Sequence, residues 1–153
     1  MHRVKAGDVY AVPLSDGVNA LCRVLYKSSY FKHVALVGCY GTHLPSIPCS
    51  DQMKSGLLGT ALYTTVQPMK ISDWQFLENH ELRPDETELS RRLVGGEVWL
   101  GDEHLGPAES CDKDLSEMQT YGERLFRRKL AALLAAQVPS PRPSNPADAS
   151  RCR

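Results

Sequence analysis

The sequence predicts an α+β fold that is mainly β, a twisted antiparallel sheet or a partly closed small barrel with a C-terminal amphipathic helix. Two observations carry this prediction. Short β-branched and aromatic runs, separated by Asp-Gly and Gly-Gly dipeptides, fill the first two thirds of the 153 residues. From residue 112 onward the apolar residues instead recur at spacings near 3.6, the period of an α-helix.

The N-terminal strands are predicted from apolar runs that end at turn residues. Residues 8–14 form the first strand, and Asp16-Gly17 favours a hairpin into a second strand over residues 20–26. Successive side chains of a strand point to opposite faces, so Leu21, Arg23 and Leu25 share one face of the second strand. Residues 32–40 form the third strand. Pro13 cannot donate a backbone hydrogen bond, which favours an edge position or a strand end.

The middle of the chain alternates a long loop with further strands. Residues 41–58 are rich in glycine and proline and are predicted to be a long connection, which is often functional. A fourth strand follows over residues 59–66. Residues 70–77 are compatible with a strand or a short capped helix, and a strand is favoured. Residues 91–94 and 97–100 form the last strand pair, because Gly95-Gly96 between them is a two-residue turn.

The C-terminal part is predicted to be one amphipathic helix over residues 112–137, packed on the sheet. Acidic residues fill its first turns and basic residues its later ones, which suits the helix dipole. Gly122 allows a kink or a break into two helices. Residues 1–137 then form a single domain, and residues 138–153, with four prolines, form a disordered tail.

Composition predicts a cytoplasmic protein. The chain has 18 Lys and Arg against 18 Asp and Glu, and this neutral balance argues against a general nucleic-acid binder. No apolar run approaches the ~20 residues of a membrane helix, and the N-terminus lacks the apolar region of a signal peptide. The five cysteines show no C-x-x-C spacing and are predicted to be free thiols.

A search for catalytic motifs predicts no catalytic residue, no cofactor and no metal. His80-Glu81 could start a helical zinc pair, but Pro84 interrupts the required helix. Glycine-rich phosphate loops and the G-x-S-x-G elbow are absent from the sequence. An enzyme remains an alternative, with Cys49 as the nucleophile and His43 as its base in the loop at 41–58.

The charge distribution along the chain is uneven. Between residues 97 and 117 a group of acidic residues is opposed only by Lys113. One interpretation is a solvated surface with an acidic helix start. The other is an acidic surface that is complementary to a basic partner. The acidic residues are Glu97, Asp102, Glu103, Glu109, Asp112, Asp114 and Glu117.

The first strands carry a family resemblance. Lys5-Ala6-Gly7-Asp8-Val9-Tyr10-Ala11-Val12-Pro13-Leu14, then Asp16-Gly17, then Cys22-Arg23-Val24-Leu25, resembles the opening of the immunity protein 26 family of bacterial polymorphic-toxin systems. Trp74 resembles the central tryptophan region of that family. Residues 92–108 resemble the end of the family's sequence pattern. The resemblance implies a protein that neutralises a toxin of its own cell by occluding the active site of the toxin. Such a protein needs no active site itself.

The expected partner is a cognate toxin domain that acts in the cytosol, such as a nuclease, with no membrane and no direct nucleic-acid partner. The predicted toxin-binding residues are Asp102, Glu103, Glu109 and Asp112 in the acidic region, with Asp51 and His43 in the loop at 41–58. The alternative function is a small β-barrel binding module for nucleic acid or peptide. Its stacking groups would be Tyr26, Tyr30, Phe31 and Tyr40.

Overall fold

The computed structural model describes residues 2–15, 17–31, 33–67 and 73–136. The strands of these ranges are β1 (Asp8–Pro13), β2 (Asn19–Lys27), β3 (Val34–Thr42), β4 (Leu62–Thr65), β5 (Gln75–Asn79), β6 (Arg91–Val94), β7 (Glu97–Leu100), β8 (Glu103–Pro107) and β9 (Thr120–Tyr121). The helices are α1 (Cys49–Met53), α2 (Pro84–Thr87) and α3 (Glu123–Ala135), with 3₁₀ turns at Glu88–Ser90 and Ser110–Asp112. The predicted fold class, mainly β with a C-terminal helix, is confirmed.

The strands form two sheets. The larger sheet has the order β5-β1-β2-β3-β4-β9, and the smaller one has the order β6-β7-β8. All pairs in the larger sheet are antiparallel except β4 with β9, so this sheet is mixed rather than purely antiparallel. Its outer strands β5 and β9 do not pair within the described residues, so the sheet is open and not a closed barrel.

Both faces of the central strands are buried. On one face Tyr10 and Trp74 lie edge to face, and the Phe126 ring of α3 stacks on Trp74 with ring centroids 5.4 Å apart. The opposite face is covered by α1, where Cys49 packs with the buried residues Val9, Leu21 and Tyr40. The side chains of β2 alternate between these faces as predicted, but its polar Arg23 is buried with its apolar neighbours.

The predicted helix over residues 112–137 is wrong at its start, because α3 begins at Glu123 with Gly122 as its N-cap residue. Before it, residues 112–114 belong to a 3₁₀ turn and the turn that follows, and residues 115–121 form no helix. The Leu93 N–H donates to the Ser116 carbonyl at 3.0 Å, and the Met118 N–H donates to the Leu93 carbonyl at 2.8 Å. These bonds to β6, together with the pairing of β9, satisfy backbone groups that a helix would otherwise use. None of the helices in the described ranges has the length and apolar composition needed to cross a bilayer.

The remaining elements refine the sequence predictions. The turn of the β6–β7 hairpin is confirmed, since Gly95 and Gly96 adopt φ values of 60° and 81°, which favour glycine. The loop at 41–58 contains the short helix α1, and β8 was not predicted. The strand predicted over 70–77 begins at Gln75, and residues 68–72 lie outside the described residues. The tail predicted at 138–153 also lies outside them.

The cysteines among the described residues fall into two groups. Cys22, Cys39 and Cys49 are free and buried, as predicted. Cys111 is disulfide-bonded, so the prediction of free thiols is wrong for this residue. Cys152 lies outside the described residues.

Candidate functional site

A row of aromatic rings lies where the loop between β2 and β3 meets the β7–β8 hairpin. Tyr30 is 71% exposed and Phe31 is 42% exposed. The ring centroids of Tyr30 lie 5.8 Å from Phe31 and 6.3 Å from Trp99, and Trp99 lies 5.0 Å from His104. We call these four residues the aromatic surface. Exposed tyrosine and tryptophan side chains are enriched at protein interfaces, because they bury a large area with few rotatable bonds.

Asp102, at the β7–β8 turn, fixes the loop that carries this surface. Its carboxylate accepts hydrogen bonds from the Tyr26 hydroxyl, from Ser28 Oγ at 2.8 Å, and from the N–H and Oγ of Ser29 at 2.9 and 2.7 Å. Ser28 Oγ in turn accepts from the backbone N–H groups of Tyr30 at 3.1 Å and Phe31 at 2.7 Å. The backbone beneath both exposed rings is therefore held in place before any partner binds.

The environment of Asp102 keeps it ionised. Burial by itself would raise the pKa of this carboxyl, but the hydrogen bonds from Tyr26, Ser29 and Ser28 outweigh that effect and lower the pKa to about 2. A carboxylate with this many internal donors has little capacity left for a partner. The structure thus gives the predicted binding residue Asp102 a positioning role beneath the aromatic surface.

Carboxylates border the aromatic surface. Glu103 is exposed in β8, next to His104. Glu97 in β7 lies 3.3 Å from Nε2 of His104, measured from its Oε1 atom. Lys27 is a cation at the same loop, and its ammonium group donates to the Ser28 carbonyl at 2.8 Å. The border is thus acidic on the β7–β8 side, which matches part of the acidic region predicted from the sequence.

The other predicted binding residues have different surroundings. Glu109 is exposed, but Asp112 is only 5% exposed and accepts a hydrogen bond from the Glu109 N–H at 2.8 Å. Asp51 lies in α1 and forms an ion pair with Lys54 at 3.2 Å. The His43 N–H donates to the Asn19 carbonyl at 2.7 Å. Within the described residues, no hydrogen bond or ring contact joins Asp51 or His43 to the aromatic surface.

The enzyme alternative depends on a contact between Cys49 and His43. Among the described residues, the charged group that acts on the Cys49 thiol is instead Glu78, which also contacts His80. Burial raises the pKa of the Cys49 thiol, and the charge of Glu78 raises it further. The thiol therefore stays protonated at neutral pH, the form that is a poor nucleophile.

Sequence reasoning missed the position of Trp99. The sequence predicts only that it lies in a strand, whereas the structure shows that it is half-buried and lies beside the exposed Tyr30. Of the four rings predicted to stack on nucleic acid, Tyr40 is buried and Tyr26 is half-buried against Asp102, so only Tyr30 and Phe31 are exposed. The sequence does contain one indication of this surface. Tyr30 and Phe31 are adjacent aromatic residues that directly follow Ser28-Ser29 at the end of a strand.

Comparison of the chain with protein-family models, with curated proteins and with solved structures finds no match. The resemblance to the immunity protein 26 family therefore rests on the residues quoted above and stays a prediction.

Proposed function

We propose that this protein is an immunity protein that binds a cognate bacterial toxin and blocks the toxin's active site. The observation that carries the proposal is the aromatic surface with its acidic border. The motif order of residues 5–25 supports it independently. The toxin is expected to act in the cytosol, and a nuclease domain fits best, because its substrate cleft is basic.

The surface suits the centre of such an interface. Tyr30 and Trp99 are residue types that dominate binding energy at interface centres, and Asp102 holds the loop so that little ordering entropy is lost on binding. Glu97 and Glu103 would meet the cations of the toxin cleft. A stable interface buries about 800 Å² on each partner, so neighbouring loop residues must contribute as well.

The test begins with paired affinity capture from a bacterium that carries this gene. Wild-type protein and the double variant Tyr30→Ala/Phe31→Ala serve as parallel baits. The C-terminal domain of any protein that only wild type retains is then expressed alone. The proposal predicts that this domain kills cells and that co-expression of wild type protects them.

Two controls make the test specific to the surface. Leu125→Ala, at a residue 43% exposed on α3, should protect as well as wild type. Glu103→Lys should weaken binding, whereas Glu81→Lys, at another exposed glutamate, should not. A captured domain that is harmless, or full protection by the double variant, would contradict the proposal.

The alternative is a binding module for nucleic acid or peptide, and the exposed rings of Tyr30 and Phe31 are what favour it. Bases stack on such rings, but the carboxylates of Glu97 and Glu103 repel phosphate. A gel shift with single-stranded DNA distinguishes the two, because phosphate contacts weaken steeply with salt. A salt-sensitive shift that Tyr30→Ala abolishes would favour the alternative over the immunity function.

A further inference from the structure

Two cysteines face each other across the central hairpin of the large sheet. Cys22 in β2 and Cys39 in β3 are Cα partners in the register of this antiparallel pair. The Cα atoms of directly opposed residues lie about 4.5 or 5.5 Å apart in antiparallel strands, and a disulfide spans about 4.4–6.8 Å between Cα atoms. The backbone at this pair therefore already has the spacing that a disulfide requires.

The two thiols are neighbours in the core. Cys22 and Cys39 belong to one buried cluster with Tyr10 and Phe126, and they are 0% and 1% exposed. The pKa of the Cys39 thiol is lowered chiefly by Cys22. Burial raises the pKa of the Cys22 thiol, and the neighbouring Cys39 raises it further. Both cysteines are free thiols on the same face of the sheet.

The other described cysteines differ from this pair. Cys49 lies in α1 and packs in the cluster on the opposite face of the sheet. A disulfide from Cys49 to Cys22 or Cys39 would have to cross the sheet, which the geometry of the bond does not allow without backbone movement. Cys111 is already disulfide-bonded, and such bonds persist where the surroundings are oxidising. Cys49 is therefore an internal control for the reactivity of the pair.

We propose that Cys22 and Cys39 form a redox-active pair, which closes to a cross-strand disulfide when the chain folds in the presence of glutathione disulfide. One thiolate attacks the glutathione disulfide and releases one glutathione, and the second thiolate displaces the other glutathione from the mixed disulfide. The pair loses two electrons and two protons, and one glutathione disulfide becomes two glutathione molecules. This inference does not depend on the proposed function.

Burial determines when the exchange takes place. A reagent reaches these thiols only when the surrounding core opens, so the folded protein should react slowly in either direction. The redox state in which the chain folds is then retained in the native structure. Once formed, the bond would brace the β2–β3 hairpin, whose loop carries Tyr30 and Phe31 of the aromatic surface.

Refolding of the full chain tests the proposal. The chain is unfolded in urea without reductant and diluted into a mixture of glutathione and glutathione disulfide. Free thiols are then alkylated in urea, and the peptides are mapped by mass spectrometry. A link between Cys22 and Cys39 should exceed any link to Cys49 by at least about tenfold. The folded, reduced protein should form this link at least about tenfold more slowly than the refolding chain.

Two variants and a stability measurement complete the test. Cys49→Ala should still form the Cys22–Cys39 link, whereas Cys39→Ala should leave Cys22 without a protein partner. Linked wild type should unfold at a higher urea concentration than wild type refolded without glutathione disulfide, because the bond restricts the unfolded chain. Alkylation of both Cys22 and Cys39 after refolding, or equally frequent links to Cys49, would overturn the proposal. An unchanged urea midpoint in the linked protein would overturn the bracing role.

Discussion

Arg23 joins two separate parts of the chain from within the core. The residue is 5% exposed, and its Nη1 lies 2.7 Å from Oε2 of Glu86. Nη2 donates to the carbonyls of His80 at 2.6 Å and Glu81 at 2.8 Å. One guanidinium therefore ties β2 to the segment that leads into α2, and among the described residues its charge is compensated by the Glu86 carboxylate.

Removing that carboxylate should be costly. Glu86→Gln leaves the Arg23 charge buried without a counter-ion, so the free energy of unfolding should fall by about 3 kcal/mol. Urea denaturation at pH 7 measures this change. Glu81→Gln is the matched control, because only the backbone carbonyl of Glu81 is used, and its effect should stay within about 0.5 kcal/mol. Equal stabilities of the two variants would show that the ion pair does not stabilise the fold.

Asp102 should give stability a defined pH dependence. Asp102→Asn should lower the free energy of unfolding by about 1.5–3 kcal/mol at pH 7, since charged hydrogen bonds are lost. The folded-state pKa of about 2 lies below that of an unfolded aspartate, near 3.9. The contribution is therefore complete above about pH 5 and is lost as pH falls through the folded-state value.

Denaturation of wild type and variant between pH 7 and pH 2 measures this dependence. The stability difference between them should be constant near neutral pH and shrink toward zero at pH 2. Glu103→Gln, at the exposed neighbouring residue, should show no such difference. A gap between wild type and Asp102→Asn that stays constant to pH 2 would contradict the hydrogen-bonded role of the carboxylate.

At the scale of elements, α3 is attached to the large sheet by a few residues. Phe126 and Leu130 are fully buried, and Phe126 stacks on Trp74. Phe126→Ala should reduce the free energy of unfolding by about 3–5 kcal/mol and weaken the near-ultraviolet dichroism of Trp74. Leu125→Ala, one residue earlier and 43% exposed, should have almost no effect. Similar losses in both variants would mean that α3 does not pack as described.

The elements differ in how well the sequence predicts them. β1, β2, β6 and β7 were predicted within about two residues, because their alternating apolar residues and turn glycines are local signals. The start of α3 and the two residues of β9 were missed. Their conformation depends on backbone hydrogen bonds to β6 and to β4, which lie far away in the sequence. The apolar spacing before Gly122 fits a helix, but those bonds favour extended chain.

At the scale of the whole molecule, the aromatic surface exists only because the small sheet docks on the large one. Tyr30 and Phe31 come from the loop after β2, whereas Trp99 and His104 come from β7 and β8. Asp102 and Ser28, 74 residues apart, form one of the bonds that join these parts. The carboxylates beside this surface should affect mainly the rate of association with a partner, whereas its aromatic rings should affect mainly the rate of dissociation.

The association rate of the proposed toxin complex should depend on salt. Raising the ionic strength from about 0.02 to 0.5 M should lower this rate roughly tenfold, because charge steering is screened. Glu103→Lys should act mainly on association, whereas Tyr30→Ala should act mainly on dissociation. Surface plasmon resonance measures both rates, with Glu81→Lys as the control. An association rate that salt leaves unchanged would rule out electrostatic steering by the acidic border.

The sequence by itself determined the positions of β1, β2, β6 and β7, the hairpin turns and the presence of an acidic region. The alternation of apolar and polar residues along a strand and the glycines of a turn involve only a few neighbouring residues. They can therefore be recognised from the sequence without a structure. Only the tertiary structure decided that Asp102 points inward, that Trp99 borders the surface, and that one edge of Arg92 has no partner among the described residues. Local pattern specifies the side of a strand on which a residue lies. Whether that side is covered depends on segments dozens of residues away, which pack there only in the folded chain.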